Sequence, residues 1–167
     1  MRSKGFSLIE LLIVVAIILI IAALAIPNLL RARIAANEAS AANSVRKIAT
    51  AEVAYATAFP TQGYAPALSN LGGPASGCTP SQVTSCILDS TLSSGTKSGY
   101  RFLAKGFAAA GTVNSAFVTG SAPVNYNLTG VRMFCVIDDG VLRVDPGGPG
   151  LTPANSTAKC LAYPYTQ

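Results

Sequence analysis

The chain has no histidine, and only 11% of its 167 residues are charged. Without histidine there is neither a Ser-His-Asp triad nor a Cys-His pair, two common ways of activating a hydrolytic nucleophile. The four cysteines, Cys78, Cys86, Cys135 and Cys160, include no C-x-x-C pair, so the usual zinc-ligand spacings are missing as well. No glycine-rich phosphate loop occurs. Aromatic residues make up 7% of the chain, and none lies between Phe6 and Tyr55. Stacked rings along that stretch are thereby excluded. Basic residues outnumber acidic ones by 12 to 7, but no basic run is longer than Arg46-Lys47. Nucleic acid is therefore not read as a direct specific partner. These absences leave no enzyme site and require no cofactor.

What the chain does have is one long apolar run. From Phe6 to Ile26 only Ser7 and Glu10 are polar. As a helix this run spans roughly 31 Å, about the thickness of a bilayer core. No second such run follows, so the sequence reads as one anchor and one exposed domain rich in Ala, Ser, Thr, Gly and Pro. All four cysteines lie beyond the anchor. An even number in a small, loop-rich exported domain reads as two disulfides, which puts that part outside the cytoplasm. Three pairings are open. The preferred one joins Cys78 to Cys86 as a clamp within one loop, and Cys135 to Cys160, tying the tail to a strand.

The acid near the start of the run, Glu10, decides how the N-terminus is read. A secretory signal cut after Ala25 would release a secreted binding protein, but the run is longer than the usual signal core and carries a carboxylate. An uncleaved anchor accepts the length and leaves Glu10 unexplained. A cut between Gly5 and Phe6 makes the acid useful. It frees an amine on Phe6, about 6 Å from Glu10 along a helix axis. Glu10 then pairs either with its own amine or with that of a neighbouring copy. A staggered, head-to-tail contact of the second kind does not close and builds a filament.

The stretch GFSLIELLIVVAII…AIP behind a short basic leader ending in Gly5 resembles the N-terminus of type IV pilins and their pseudopilin relatives. The resemblance covers Lys4 to about Ala36. It implies that a prepilin peptidase cuts after Gly5 and methylates the amine of Phe6. It also implies that Glu10 acts in subunit recognition, and that copies of the chain assemble by their apolar helices on leaving the inner membrane. The product would be a pilus at the cell surface, serving adhesion, motility or DNA uptake. A pseudopilin of a type II secretion system is the alternative within the same resemblance. Pro27 falls where the family has a helix-breaking proline, whereas Leu19 stands where it often has glycine.

The rest of the chain divides accordingly. Residues 1–5 are the leader, 6–30 the transmembrane and assembly helix, and 31–59 its amphipathic continuation, with Ile34, Ala41, Val45, Ile48, Tyr55 and Phe59 in one stripe. Glu52 falls within that stripe. Pro27 is expected to kink the helix. Residues 60–99 read as loop, with one helical turn between Ile87 and Leu92. Residues 100–145 read as an antiparallel sheet of three or four strands, with a hairpin turn at Asp139-Gly140. Residues 146–167 are a tail pinned by Cys160, similar to the disulfide-closed C-terminal region of many pilins. The fold expected is α+β, a long helix packed on a small antiparallel sheet, the ladle shape that the resemblance implies. As for metals, some pseudopilins bind calcium in this region, which would use Asp138, Asp139 and Asp145 here. The D-x-D-x-D-G spacing is missing, and a plain hairpin turn accounts for the same residues.

Overall fold

The structure, a computed structural model, describes residues 7–74, 76–108 and 110–167. The leader 1–5 and the Gly5–Phe6 junction lie outside them. The chain divides into two compact units, residues 1–33 and 34–167. Helix α1, Leu8–Ala58, supplies all the regular structure described in the first unit and the N-terminal element of the second. It is helical through Pro27, so the proline costs a hydrogen bond without ending the element.

In the second unit α1 is amphipathic in the way its spacing predicts. Ala41, Val45, Ile48, Ala51 and Tyr55 are buried. They pack on the inner face of the sheet against Tyr100, Phe102, Ala104, Phe117, Phe134, Val136 and Val144. Ile34 and Phe59, at the two ends of the stripe, are half-buried. The chain leaves the helix at Phe59-Pro60, because proline disfavours helical backbone in the residue before it.

The sheet has six antiparallel strands in chain order, so every connection joins neighbours. They are β1 (Thr96–Lys97), β2 (Tyr100–Phe107), β3 (Ala116–Pro123), β4 (Met133–Ile137), β5 (Arg143–Asp145) and β6 (Tyr165–Thr166). The expected three or four strands are thus extended by a short strand at each edge. One edge strand comes from the stretch read as loop and the other from the tail. The Asp139-Gly140 turn joins β4 to β5 with Phe134 opposite Val144, and Gly140 takes φ +73°, which costs glycine little. The segment 60–99 also holds a 3-10 turn (Leu68–Leu71) and α2 (Ser90–Ser93). Asp89 caps α2 by accepting the Leu92 amide.

The outer face of the sheet is covered as well. Val118, Ala122, Met133, Cys135 and Ile137 form a second core with Ala154, Cys160 and Tyr163. The last three come from the tail, which folds as α3 (Thr157–Leu161) before reaching β6. Backbone meets backbone closely here. A Cβ on Gly120 would lie 2.6 Å from the Ala154 nitrogen. The alternation expected in β4 holds: Met133, Cys135 and Ile137 face the tail, while Phe134 and Val136 face the helix.

Candidate functional site

In the first unit the candidate side chains sit on an uncovered apolar helix. Leu8 to Leu30 include sixteen large hydrophobic residues exposed to solvent, a surface that water disfavours. The helix is long and apolar enough to cross a membrane. Leu19 stands exposed on it. Pro27 removes one backbone donor, and the neighbouring Asn28 side-chain amide donates to the Leu24 carbonyl of the preceding turn at 3.1 Å.

Glu10 lies in the first turn of α1, where the helix dipole favours a carboxylate. Its Oε2 accepts the Ser7 amide at 2.9 Å. This is half of a capping box, the reciprocal arrangement of Ser at the N-cap and Glu three residues on. The segment Ser7-Leu8-Ile9-Glu10 carries the S-x-x-E signature, which the reading of Glu10 by charge alone passes over. Glu10 therefore has a local partner within the described residues.

In the second unit Glu38, Asp139 and Asp145 are each bound locally and do not converge. Glu38 accepts the backbone amides of Val131 (2.9 Å) and Arg132 (3.1 Å) on Oε1, and the Arg132 guanidinium on Oε2 (2.7 Å). Burial pushes its pKa up. The Arg132 and Val131 amides and the guanidinium more than offset this and hold it below the ordinary carboxylate value. Asp139 pairs with Arg143 and caps the turn at the Val141 amide. The hydrogen bond from Arg143 keeps its pKa low against the effect of burial. Asp145 accepts the Gly147 amide. Asp138 stands exposed beside a groove lined by Arg46, Thr50 and Val53 of α1. Among the described residues no cluster of three or more potential ligands could hold a metal ion. Of the three aspartates weighed as a calcium set, Asp139 is used by the turn and the ion pair and Asp145 by a backbone cap, while Asp138 stands apart from both.

Glu52 is different. It is fully buried, and Oε2 accepts the Ala65 amide at 2.7 Å while Oε1 has no partner. Burial pushes its pKa up to about 8, only partly opposed by that amide.

The cysteines form two bridges, Cys78–Cys86 with Cα atoms 6.0 Å apart and Cys135–Cys160 with 5.8 Å. The first closes a loop laid on the 3-10 turn, where the Ile87 and Leu88 amides both donate to the Leu71 carbonyl. The second ties β4 to α3 through the outer core. Of the two tail tyrosines, Tyr163 is buried there and Tyr165 is exposed on β6.

An uncovered apolar helix opening on a capped glutamate, continued by an amphipathic half on a disulfide-tied antiparallel sheet, defines a pilin-like α+β protein. Comparison with known proteins gives the particular relationship. The family model for the prokaryotic N-terminal methylation motif, the motif of type IV pilins, matches residues 1–26. The chain is 68% identical over 37 residues, 22% of its length, to the type IV wide pilus major component PilA4 of Thermus thermophilus. It is 43% identical over 54 residues, 32% of its length, to the type IV major pilin protein PilA of Myxococcus xanthus. The matched parts amount to 28% and 24% of those two relatives, so the chain spans about a quarter of either. No solved structure matches the chain significantly. The N-terminus is thus similar to that of type IV pilins.

Proposed function

We propose that the chain is the structural subunit of an extracellular type IV pilus. It is made as a precursor held in the inner membrane by the apolar half of α1. A prepilin peptidase cuts between Gly5 and Phe6 and methylates Phe6. The subunit then packs by the same apolar surface against copies of itself, as membrane lipid gives way to neighbouring helices. Glu10 neutralises the Phe6 amine of an adjoining copy, and Pro27 softens the helix where copies crowd. The disulfide-tied sheet and loops face outward and carry whatever adhesion, motility or DNA uptake the pilus serves.

The observation that carries this reading is the methylation motif over residues 1–26 in a helix whose large apolar side chains from Leu8 to Leu30 are all uncovered. A surface of that kind needs either lipid or sister helices. The test is the mass of the N-terminal peptide of the mature protein from its native cell. A start at methylated Phe6 is expected. A start at Ile26 or at Met1 overturns the proposal. Fibres sheared from the cells should contain the chain. Their absence, with Phe6 methylated, would move the reading to a pseudopilin of a type II secretion system.

A further inference from the structure

Glu52 sits where a charge is hard to keep. It lies on the buried stripe of α1, fully out of solvent, with one backbone amide for its two oxygens. That amide belongs to Ala65, at the centre of a small backbone junction. The Ala65 carbonyl accepts the Gly106 amide of β2 at 2.7 Å. One residue earlier, the Tyr64 amide donates to the Asn114 carbonyl, and the Asn114 side-chain amide donates back to the Tyr64 carbonyl at 2.8 Å. The Asn114 amide completes the junction by donating to Gln62. A Cβ on Gly106 would lie 2.6 Å from the Ala65 carbonyl oxygen, so the segment 62–65 lies directly on the strand. Glu52 is the side chain that fastens this junction to the helix.

Among the described residues no cation compensates Glu52. On α1, Arg46 and Lys47 are exposed, and Tyr55 sends its hydroxyl to the Gln82 carbonyl at 2.7 Å. On the segment itself the titratable group is Tyr64, whose ring packs on Phe117. On β2, Lys105 stands on the exposed face while Ala104 and Gly106 face in. The 3-10 turn, α2 and β3 carry no titratable side chain. As a carboxylate Glu52 would hold a full charge against one N–H; as a neutral acid it keeps the same N–H bond with no charge to desolvate.

We propose that Glu52 is a proton-dependent latch: neutral in the packed domain, it holds the 62–65 segment and the end of the β2–β3 hairpin to α1, and its ionisation releases them. Opening the junction admits water to the carboxyl and lets it ionise at its ordinary value, so rising pH favours the open state. A fibre exposed to alkaline surroundings would loosen at this junction first, while the Glu38 and disulfide contacts persist.

The test uses the full chain in detergent micelles, carbon-13 labelled. The Glu52 carboxyl resonance is followed against pH, and amide exchange is read at Ala65, Gly106 and Asn114. A carboxyl midpoint above about 6.5 is expected, well clear of an ordinary glutamate. A midpoint at or below that overturns the proposal, and this measurement needs no variant to fold. Between about pH 5 and 8, base-catalysed exchange itself rises roughly ten-fold per pH unit. The latch adds roughly ten-fold per unit at these three amides. Glu52→Gln keeps an oxygen for the Ala65 amide and cannot ionise, so it should show the intrinsic rise alone. The same pH slope in both proteins would also overturn the latch.

Discussion

Glu38 Oε2 lies 2.7 Å from Arg132 Nη2, joining residues 94 positions apart, while Oε1 takes the two backbone amides of Val131 and Arg132. The carboxylate is nearly buried and the guanidinium about half exposed. The pair matters less as an ion pair than as a way of satisfying two amides at the entry to β4. Asn37, its neighbour on α1, donates to the Thr129 carbonyl in the same loop.

Replacing Glu38 by Ala strands those amides and should destabilise the domain by about 2–3 kcal/mol. Arg132→Ala leaves both amides satisfied and should cost less than half as much. Urea unfolding of the full chain in micelles measures both. Equal losses would mean that the exposed ion pair, and not the amides, carries the contact.

Stability should peak near pH 5. Glu38 has a depressed pKa, so its contribution is complete above its unfolded value of 4.5 and disappears as pH falls through the folded value. Glu52 has a raised pKa. Its contribution is complete below 4.5 and is lost as pH rises from there towards about 8, at roughly 1.4 kcal/mol per pH unit. Melting temperature against pH should therefore fall on both sides. Glu52→Gln should flatten the alkaline side and leave the acid side unchanged.

The two disulfides should differ in worth. On loop entropy, Cys135–Cys160, with a separation of 25, is worth about 3.5 kcal/mol. Cys78–Cys86, with a separation of 8, is worth about 2.5. Cys160→Ala should cost still more than its loop term, because Cys160 is fully buried in the outer core. Thermal unfolding of the two single-bridge proteins gives the order. A larger loss at Cys78–Cys86 would show that the loop on the 3-10 turn depends on its staple beyond chain entropy.

Glu10→Gln separates two roles that Glu10→Val would confuse. Glutamine still accepts the Ser7 amide, so the start of α1 and membrane insertion should be preserved. It carries no charge for an amine, so fibre formation should fail. Normal fibres from Glu10→Gln would assign the side chain to capping alone.

Much of the fold could be read along the chain, because helices and hairpins announce themselves locally. The stripe Ala41, Val45, Ile48 and Tyr55 follows the helical repeat and is buried. The β4–β5 hairpin has its glycine at positive φ. Strand β3 was harder to see. It holds small residues with no alternation, because its two faces are both buried, one by α1 and one by the tail. The edge strands β1 and β6 have two residues each, too few to show any period. Ser44, a polar residue beside the stripe position Val45, is buried as well.

What the sequence determined by itself is whatever depends on neighbours within a turn or two: the apolar helix, the N-terminal methylation motif, the cap at Ser7 and Glu10, and the α+β order of elements. The tertiary structure decided the fates of the acids. Glu38 and Glu52 are both glutamates on one face of one helix. One meets two amides and a guanidinium 94 residues away, and stays charged. The other meets a single amide in the core, and keeps its proton. A carboxyl's charge is set by the dipoles and cations within a few ångströms of it, and for these two that company is assembled only when distant segments fold together.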